Sequence, residues 1–470
     1  MVEARSRGKK APPAPVTDAQ GRRIEVDASR AAAFDVLKTV RVEKAYTNLV
    51  LPAVIKHYKL TGRDAAFTTE LASGTIRMRG TYDAVIAACA DRPIAKIEAR
   101  VLDGLRLGVH QLLSMRVPAH AAISTTVDLV HLRSSSGAAG FANAVLRAVS
   151  EHDLDTWIAQ VAPDARTHPH RHLSIAYSHP EWVVDELARA ITKDELPLLL
   201  AADNVPPAVT LVARPGRATR DELPGEPTPY SPYGTVMAGG VPGDVEAVAQ
   251  GRAGVQDEGS QLVAIALAAA PVEGPDTRWL DVCAGPGGKS ALLAGLAAER
   301  GALLVANEVQ KHRSGLVARS LDGADGVAGI VTADGTKPPY RHDSFDRVLV
   351  DAPCTGLGAL RRRPEARWAR KSDDLLQLAM LQRQLVNASL DLVRPGGVLL
   401  YATCSPVLSE TQTVVTAIAQ MRRDAVLEDA GGLFTQVPDC AGEVPGTIQL
   451  WPHRHGTDAM FMALFRRTGG

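Results

Sequence analysis

The chain has 470 residues, enough for more than one domain, and its 52 lysines and arginines balance 52 aspartates and glutamates. That balance excludes a bulk polycation, so nucleic-acid binding must come from local basic patches; aromatics at 4% argue against extended base-stacking platforms. Five scattered cysteines without a CxxC pair give neither a zinc knuckle nor a disulfide framework, so no metal and a reduced, cytoplasmic setting are expected. The opening "MVEARSRGKKAPPAPV" lacks a signal-peptide core, and no apolar run is long enough to span a membrane.

In chain order, residues 1–26 are basic and proline-rich and read as a disordered tail. Residues 27–151 read as an all-helical domain: "ASRAAAFDVLKTV", behind a cap at Asp27 or Ser29, has apolar residues at helical spacing, and "RVLDGLRLGVHQLLSM" and "GFANAVLRAVS" repeat that style. Residues 152–255 are rich in proline and glycine, with one β-like run at Ala208 to Ala213; they read as a linker and small α+β subdomain. From residue 256 to 470 strands and helices alternate. "RWLDVC", "GALLVANE", "GIVTAD", "FDRVLVDAP" and "GGVLLYATC" are the expected strands of a parallel sheet with helices on both faces. Ligands in such a sheet bind at the carboxyl ends of the strands, where Cys283, Glu308, Asp334, Asp351 and Cys404 fall.

After the first strand comes "CAGPGGKS", Cys283 to Ser290. Its Gly288-Lys289-Ser290 looks like the tail of a phosphate loop, but Cys283 stands where that loop needs its first glycine. The dinucleotide fingerprint G-x-G-x-x-G is also absent, since the turn reads Gly285-Pro286-Gly287-Gly288. Glycines here let a ligand approach the backbone, and the next helix N-terminus favours anionic groups. Glu308 is placed to hold ribose hydroxyls and Asp334 to lie by an adenine, a set that suits a nucleoside cofactor better than a triphosphate. These acids could instead cap helices or turns, singly more readily than together. Lys289 either binds a carboxylate or sits exposed, and Arg313 lies in the helix after Glu308.

Two segments carry reactive groups. "VLVDAPCTGLGALRRRPEARW" puts Asp351 and Cys354 just past the fourth strand, and "LLYATCSP" puts Cys404 just past the fifth. Two thiols at adjacent strand ends should face one crevice, and both sit in polar, turn-forming contexts rather than apolar strand interiors. The basic run Arg361 to Lys371 is a candidate phosphate grip, against the plainer reading of a solvated charged face.

Together with "VQDEGSQL" and the closing "QLWPHRHGTDAMFMALFRR", these segments make residues 255–467 resemble the RNA (cytosine-5)-methyltransferases of the RsmB/Sun/Fmu family. The first domain, ending in "FANAVLRAV", resembles the NusB-like RNA-binding domain fused in front of it. The resemblance implies an all-α NusB-like domain, a small α+β subdomain and a Rossmann-like α/β methyltransferase domain. It implies S-adenosylmethionine held by Cys283, Ala284, Gly285, Pro286, Gly287, Gly288 and Lys289, with Glu308, Arg313, Asp334 and Asp351. Catalysis would fall to Cys404 as nucleophile on carbon 6 of cytosine, Asp351 on the base edge, and Cys354 in release. The implied partner is 16S rRNA, with the target base flipped from its stack and the enzyme a monomer. Ala459 and Met460-Phe461-Met462 depart from the usual glycine and aromatic pair of the closing segment. Two other readings remain at this stage: an RNA-binding assembly or antitermination factor with an inert methyltransferase half, and a cytosine-5 methyltransferase of another nucleic acid such as DNA.

Overall fold

The computed structural model describes residues 26–469, so the expected basic tail lies outside the described residues apart from Val26. Contacts divide the chain into two compact units, the first ending at Ser178 and the second beginning at His179. No helix among the described residues is long and apolar enough to cross a membrane.

The first unit is helical. Its opening helix, Ala28–Glu43, starts where the Asp27 carboxylate accepts the Arg30 amide at 3.0 Å, and it buries Ala32, Ala33, Phe34, Val36 and Leu37. The helix Ala99–Leu113 runs through the middle and is buried on every side. Gly104 and Gly108 permit this, because a Cβ there would stand 2.6 Å from Val130 and 2.8 Å from Leu146. Its buried charges are paired: Arg106 forks onto both oxygens of Asp83 at 2.7 Å, and Arg41 reaches Asp103 at 2.9 Å. The helices Leu154–Val161 and Pro169–Ala176 belong to this unit as well.

The second unit holds two sheets. The smaller contains β1 (Thr210–Ala213), β2 (Glu226–Pro227), β3 (Gly234–Val236) and β4 (Ala253–Val255), antiparallel in the order β2-β3-β1-β4. The larger contains β5 (Arg278–Asp281), β6 (Leu303–Asn307), β7 (Val327–Val331), β8 (Phe345–Asp351), β9 (Val393–Thr403), β10 (Ala425–Glu428), β11 (Ile448–Gln449) and β12 (Phe461–Arg467). Its order is β10-β12-β9-β8-β5-β6-β7, with β11 paired to β12. Side chains alternate between two cores: Trp279, Leu349 and Leu400 pack with helices Glu258–Ala269 and Gly288–Ala298, while Leu280, Val348 and Tyr401 pack with helices Asp374–Leu390 and Gln412–Met421.

The parallel sheet expected from the sequence is found only for β5 to β9. The sheet is mixed, because β12 inserts antiparallel between β9 and β10, pairing Phe461 with Thr403 through Arg466 with Val398. The altered closing segment therefore builds a regular buried strand. Chain order reverses at β5, with β6 and β7 on one side and β8 and β9 on the other. That switch point opens a crevice between the ends of β5 and β8.

Candidate active site

The turn after β5 is anchored on both sides. Asp281 accepts Ser290 Oγ at 2.6 Å and the Cys283 amide at 3.3 Å, and the Ala284 amide donates to the Asn307 carbonyl of β6 at 2.9 Å. Burial pushes the Asp281 carboxyl up to about 7 against the Ser290 bond, and the nearby Asp351 charge adds to the rise. Gly287, at φ 115°, precedes Gly288, the first residue of the helix, and a Cβ on it would stand 2.5 Å from Ser320 Cβ. A Cβ on Gly285 would stand 2.2 Å from the Glu308 carboxylate. Burial and the surrounding carboxylates hold the Cys283 thiol well above its ordinary value, which keeps it protonated.

Glu308 follows β6 and is 2% exposed. One oxygen accepts the Gly285 amide at 3.1 Å and lies 3.5 Å from Arg313; the other accepts the Gln310 amide at 2.9 Å. Arg313 also donates to the Gly285 carbonyl at 2.5 Å, so acid and arginine together brace the turn. Asp334 lies beyond the end of β7, in an exposed turn where one carboxylate oxygen accepts both the amide and the hydroxyl of Thr336. Those bonds lower its pKa. Both acids thus do brace local turns, yet each keeps acceptor capacity for a ligand.

Across the crevice, Lys289 Nζ donates to Asp351 at 2.7 Å. Lys289 does bind a carboxylate, and it is one supplied by the protein. Burial alone would lower the Lys289 pKa, but Asp351, Cys404 and Asp281 hold it above its usual value. The two thiols meet here: Cys354 Sγ and Cys404 Sγ are 3.4 Å apart. Their protons are unequal. Cys404 is held below the ordinary thiol range by the hydrogen bond from Cys354, opposed by burial and aided by Arg363 and Lys289. Cys354 is pushed well above it by that same bond, by burial and by the charge of Glu410.

Residues 266–466 match the 16S rRNA methyltransferase RsmB/F family, and residues 27–151 match the NusB family. A "Putative methyltransferase" of Mycobacterium tuberculosis is 50% identical over 95% of this chain and 98% of its own length. The ribosomal RNA small subunit methyltransferase B of Pseudomonas putida is 33% identical over 83% of this chain and 88% of its own. This chain belongs to the RsmB/F family. Among solved structures, PH0851 superposes with a TM-score of 0.76 at 21% identity, over 94% of this chain and 99% of that one. NSun6 from Pyrococcus horikoshii, crystallised with SFG, gives 0.54 at 18%, over 62% and 99%. These two likenesses concern the fold.

As an RsmB/F methyltransferase the chain uses S-adenosylmethionine, and the turn suits it. Gly285 and Gly287 let the turn close tightly against Glu308 and Ser320, the helix from Gly288 presents its amides, and acids stand at or just past the successive strand ends. Part of the Arg361–Lys371 run departs from its expected role as a phosphate grip. Arg361 is 8% exposed and within 4 Å of Asp257 and Asp458, and Arg362 forks onto Asp458, which is itself fully buried. Arg367 is buried and bonds Asn204 at 2.8 Å. Arg361, Arg362 and Arg367 are struts joining segments far apart in sequence, whereas Arg363 and Arg370 are half-buried and Lys371 is exposed. Sequence reasoning also missed Glu410 and Gln382, which flank the thiols; an acid beside a helix start reads as an exposed first-turn residue, so no local pattern marks it.

Proposed function

We propose that this RsmB/F methyltransferase modifies carbon 5 of a cytidine in 16S rRNA through a covalent bond between Cys404 and the base. The observation that carries the reading is the 3.4 Å approach of two thiols of opposite proton preference beside the Lys289–Asp351 pair. Relatives named for small-subunit ribosomal RNA supply the polymer. Carbon 5 of cytosine is a poor nucleophile until a thiolate adds to carbon 6. Cys404, held toward thiolate, forms that sulfur–carbon bond. Asp351, oriented by Lys289, accepts a hydrogen bond from the amino group on the edge of the ring and holds the base for attack, while the Lys289 ammonium beside it offsets the negative charge that develops on the ring.

S-adenosylmethionine would be held by Cys283 to Lys289, Glu308, Arg313, Asp334 and Asp351, and it supplies an electrophilic methyl group. Once the Cys404 sulfur is bonded to carbon, its charge no longer opposes ionisation of Cys354. Cys354 is then free to assist removal of the carbon 5 proton, directly or through water. The carbon–hydrogen electron pair restores the ring double bond as the Cys404–carbon bond breaks. Residues 27–151 serve as the RNA-binding domain, with the helices up to Ser178 packed into the same unit, residues 179–255 as linker and small subdomain, and residues 256–470 as the catalytic domain. Around the thiols, Arg363, Arg370 and the exposed Lys371 take over the phosphate role that Arg361 and Arg362 cannot fill.

Bisulfite mapping of small-subunit rRNA tests the reading. A strain lacking this chain should lose one 5-methylcytosine, restored by the parent gene and not by Cys404→Ala. An unchanged methylation map in the deletion strain overturns it.

A further inference from the structure

We propose that Glu410 is a positioning residue that sets the register of the two thiols by gripping the residue after each of them. Glu410 ends the short turn Leu408–Glu410 and is fully buried. One oxygen accepts the Thr355 amide at 2.8 Å and Gln382 Nε2 at 3.1 Å; the other accepts Thr355 Oγ1 at 2.5 Å and Ser405 Oγ at 2.6 Å. Thr355 follows Cys354 and Ser405 follows Cys404, so one carboxylate spans both thiol loops. Gln382 extends the grip, since its amide also donates to the Pro353 carbonyl at 2.9 Å. The Tyr401 hydroxyl, from the strand leading to Cys404, donates to the Glu410 carbonyl at 2.6 Å and fixes the carboxylate's own backbone.

A buried carboxylate is costly unless every lone pair is used. Here the acceptors are filled by four neutral donors, three of them on the two thiol loops. A helix-starting acid would need none of this, and an ordinary core position would hold an apolar side chain. The arrangement makes sense as a clamp whose product is the thiol–thiol distance. Its charge is also placed unevenly, raising the proton affinity of Cys354. The thiol pair is otherwise faced by Lys289, Asp351, Arg362 and Arg363. Removing the clamp lets Cys354 drift from Cys404 and ionise more easily, and both effects raise the pH at which Cys404 becomes a thiolate.

The clamp itself stands on geometry; its importance for turnover rests on the reading of Cys404 as nucleophile, and the test separates the two. The full chain carrying Glu410→Gln is compared with the parent in the pH profile of Cys404 alkylation by iodoacetamide, read by mass spectrometry, with S-adenosylmethionine affinity as the check on folding. The expected result is a Cys404 profile moved to higher pH with cofactor affinity within about twofold, and kcat on rRNA down about tenfold or more at unchanged KM, because small displacements of reacting groups are expensive. If Glu410→Gln does not fold, Thr355→Val and Ser405→Ala, which each remove one hydroxyl donor, should show the same shift to a smaller degree, and Thr355→Ser should restore the parent profile. A moved profile in enzyme that never methylates cytosine supports the clamp and counts against the functional reading alone. An unmoved profile in folded Glu410→Gln, or in both hydroxyl variants, overturns the clamp.

Discussion

The crevice has two flanks built in different ways. The cofactor flank, β5 to β7, is made mostly of backbone: glycines packed against side chains, a helix start, and acids that satisfy nearby amides. Its central bond, Gly285 to Glu308, spans 23 residues. The thiol flank, β8, β9 and β12, is made of side-chain interlocks over longer separations. Cys354 meets Cys404 across 50 residues, Thr355 meets Glu410 across 55, Arg362 meets Asp458 across 96, and Asp257 accepts the Asp458 amide across 201. A flank of backbone can be damaged by adding atoms; a flank of interlocks is damaged by removing them.

The largest expected effect follows from adding atoms. Gly285→Ala drives a Cβ into the Glu308 carboxylate and the Arg313 guanidinium, so the acid and arginine that brace the turn must be displaced. Cofactor affinity by calorimetry should fall about a hundredfold, the upper end of overpacking costs. Parent-like affinity would show that the turn tolerates bulk and is not the cradle.

Removal on the other flank comes next. Arg362→Gln leaves Asp458 buried beside the already strained Asp257, whose carboxyl burial raises to about 6. Unfolding free energy in urea should drop by about 2–3 kcal/mol, below the full loss for a buried pair because Arg362 is one-third exposed. The salt slope of RNA binding should stay as it was. A flattened slope with intact stability would return Arg362 to the phosphates.

Those two variants also mark how far the sequence could be read. Strands β5, β6, β8 and β9 were legible as apolar runs ending in turn residues, and with them the placement of Cys283, Glu308, Asp351 and Cys404 along one edge. Asp334 was placed at a strand end, and it lies in the turn beyond. Partners across long separations were not legible. "FMALFRR" has no alternation to distinguish a buried antiparallel strand from other apolar runs, and Arg361 and Arg362 read as a phosphate grip or a solvated face because Asp257 and Asp458 lie too distant in sequence to be seen as their partners.

A smaller effect tests the cofactor flank by removal. Glu308→Ala loses an acceptor for ribose and a brace for the Gly285 amide, so cofactor affinity should weaken about tenfold, near the lower end of the range for a hydrogen bond to a charged group. Equal affinity in a folded variant would leave Glu308 with a bracing role alone.

Smaller still is a difference between cysteines in one chain. Because Cys404 is held below the ordinary thiol range, its thiolate persists as pH falls through the ordinary value and is lost only at lower pH. Cys89, which burial raises to about 11, behaves in the opposite sense. Alkylation followed by mass spectrometry should therefore label Cys404 at lower pH than Cys89, with the gap closing in denaturant. Equal profiles in the folded chain would remove the electrostatic case for Cys404 as nucleophile.

The central claim is the division of labour between the thiols, and a denaturing gel of enzyme mixed with small-subunit rRNA and S-adenosylmethionine tests it most directly. Neither Cys404→Ala nor Cys354→Ala should turn over. Cys354→Ala should carry RNA into the gel as a stable covalent band, since attack by Cys404 proceeds and release stalls, while Cys404→Ala should show no band. A band in Cys404→Ala that is absent from Cys354→Ala would contradict the assignment and make Cys354 the attacking group.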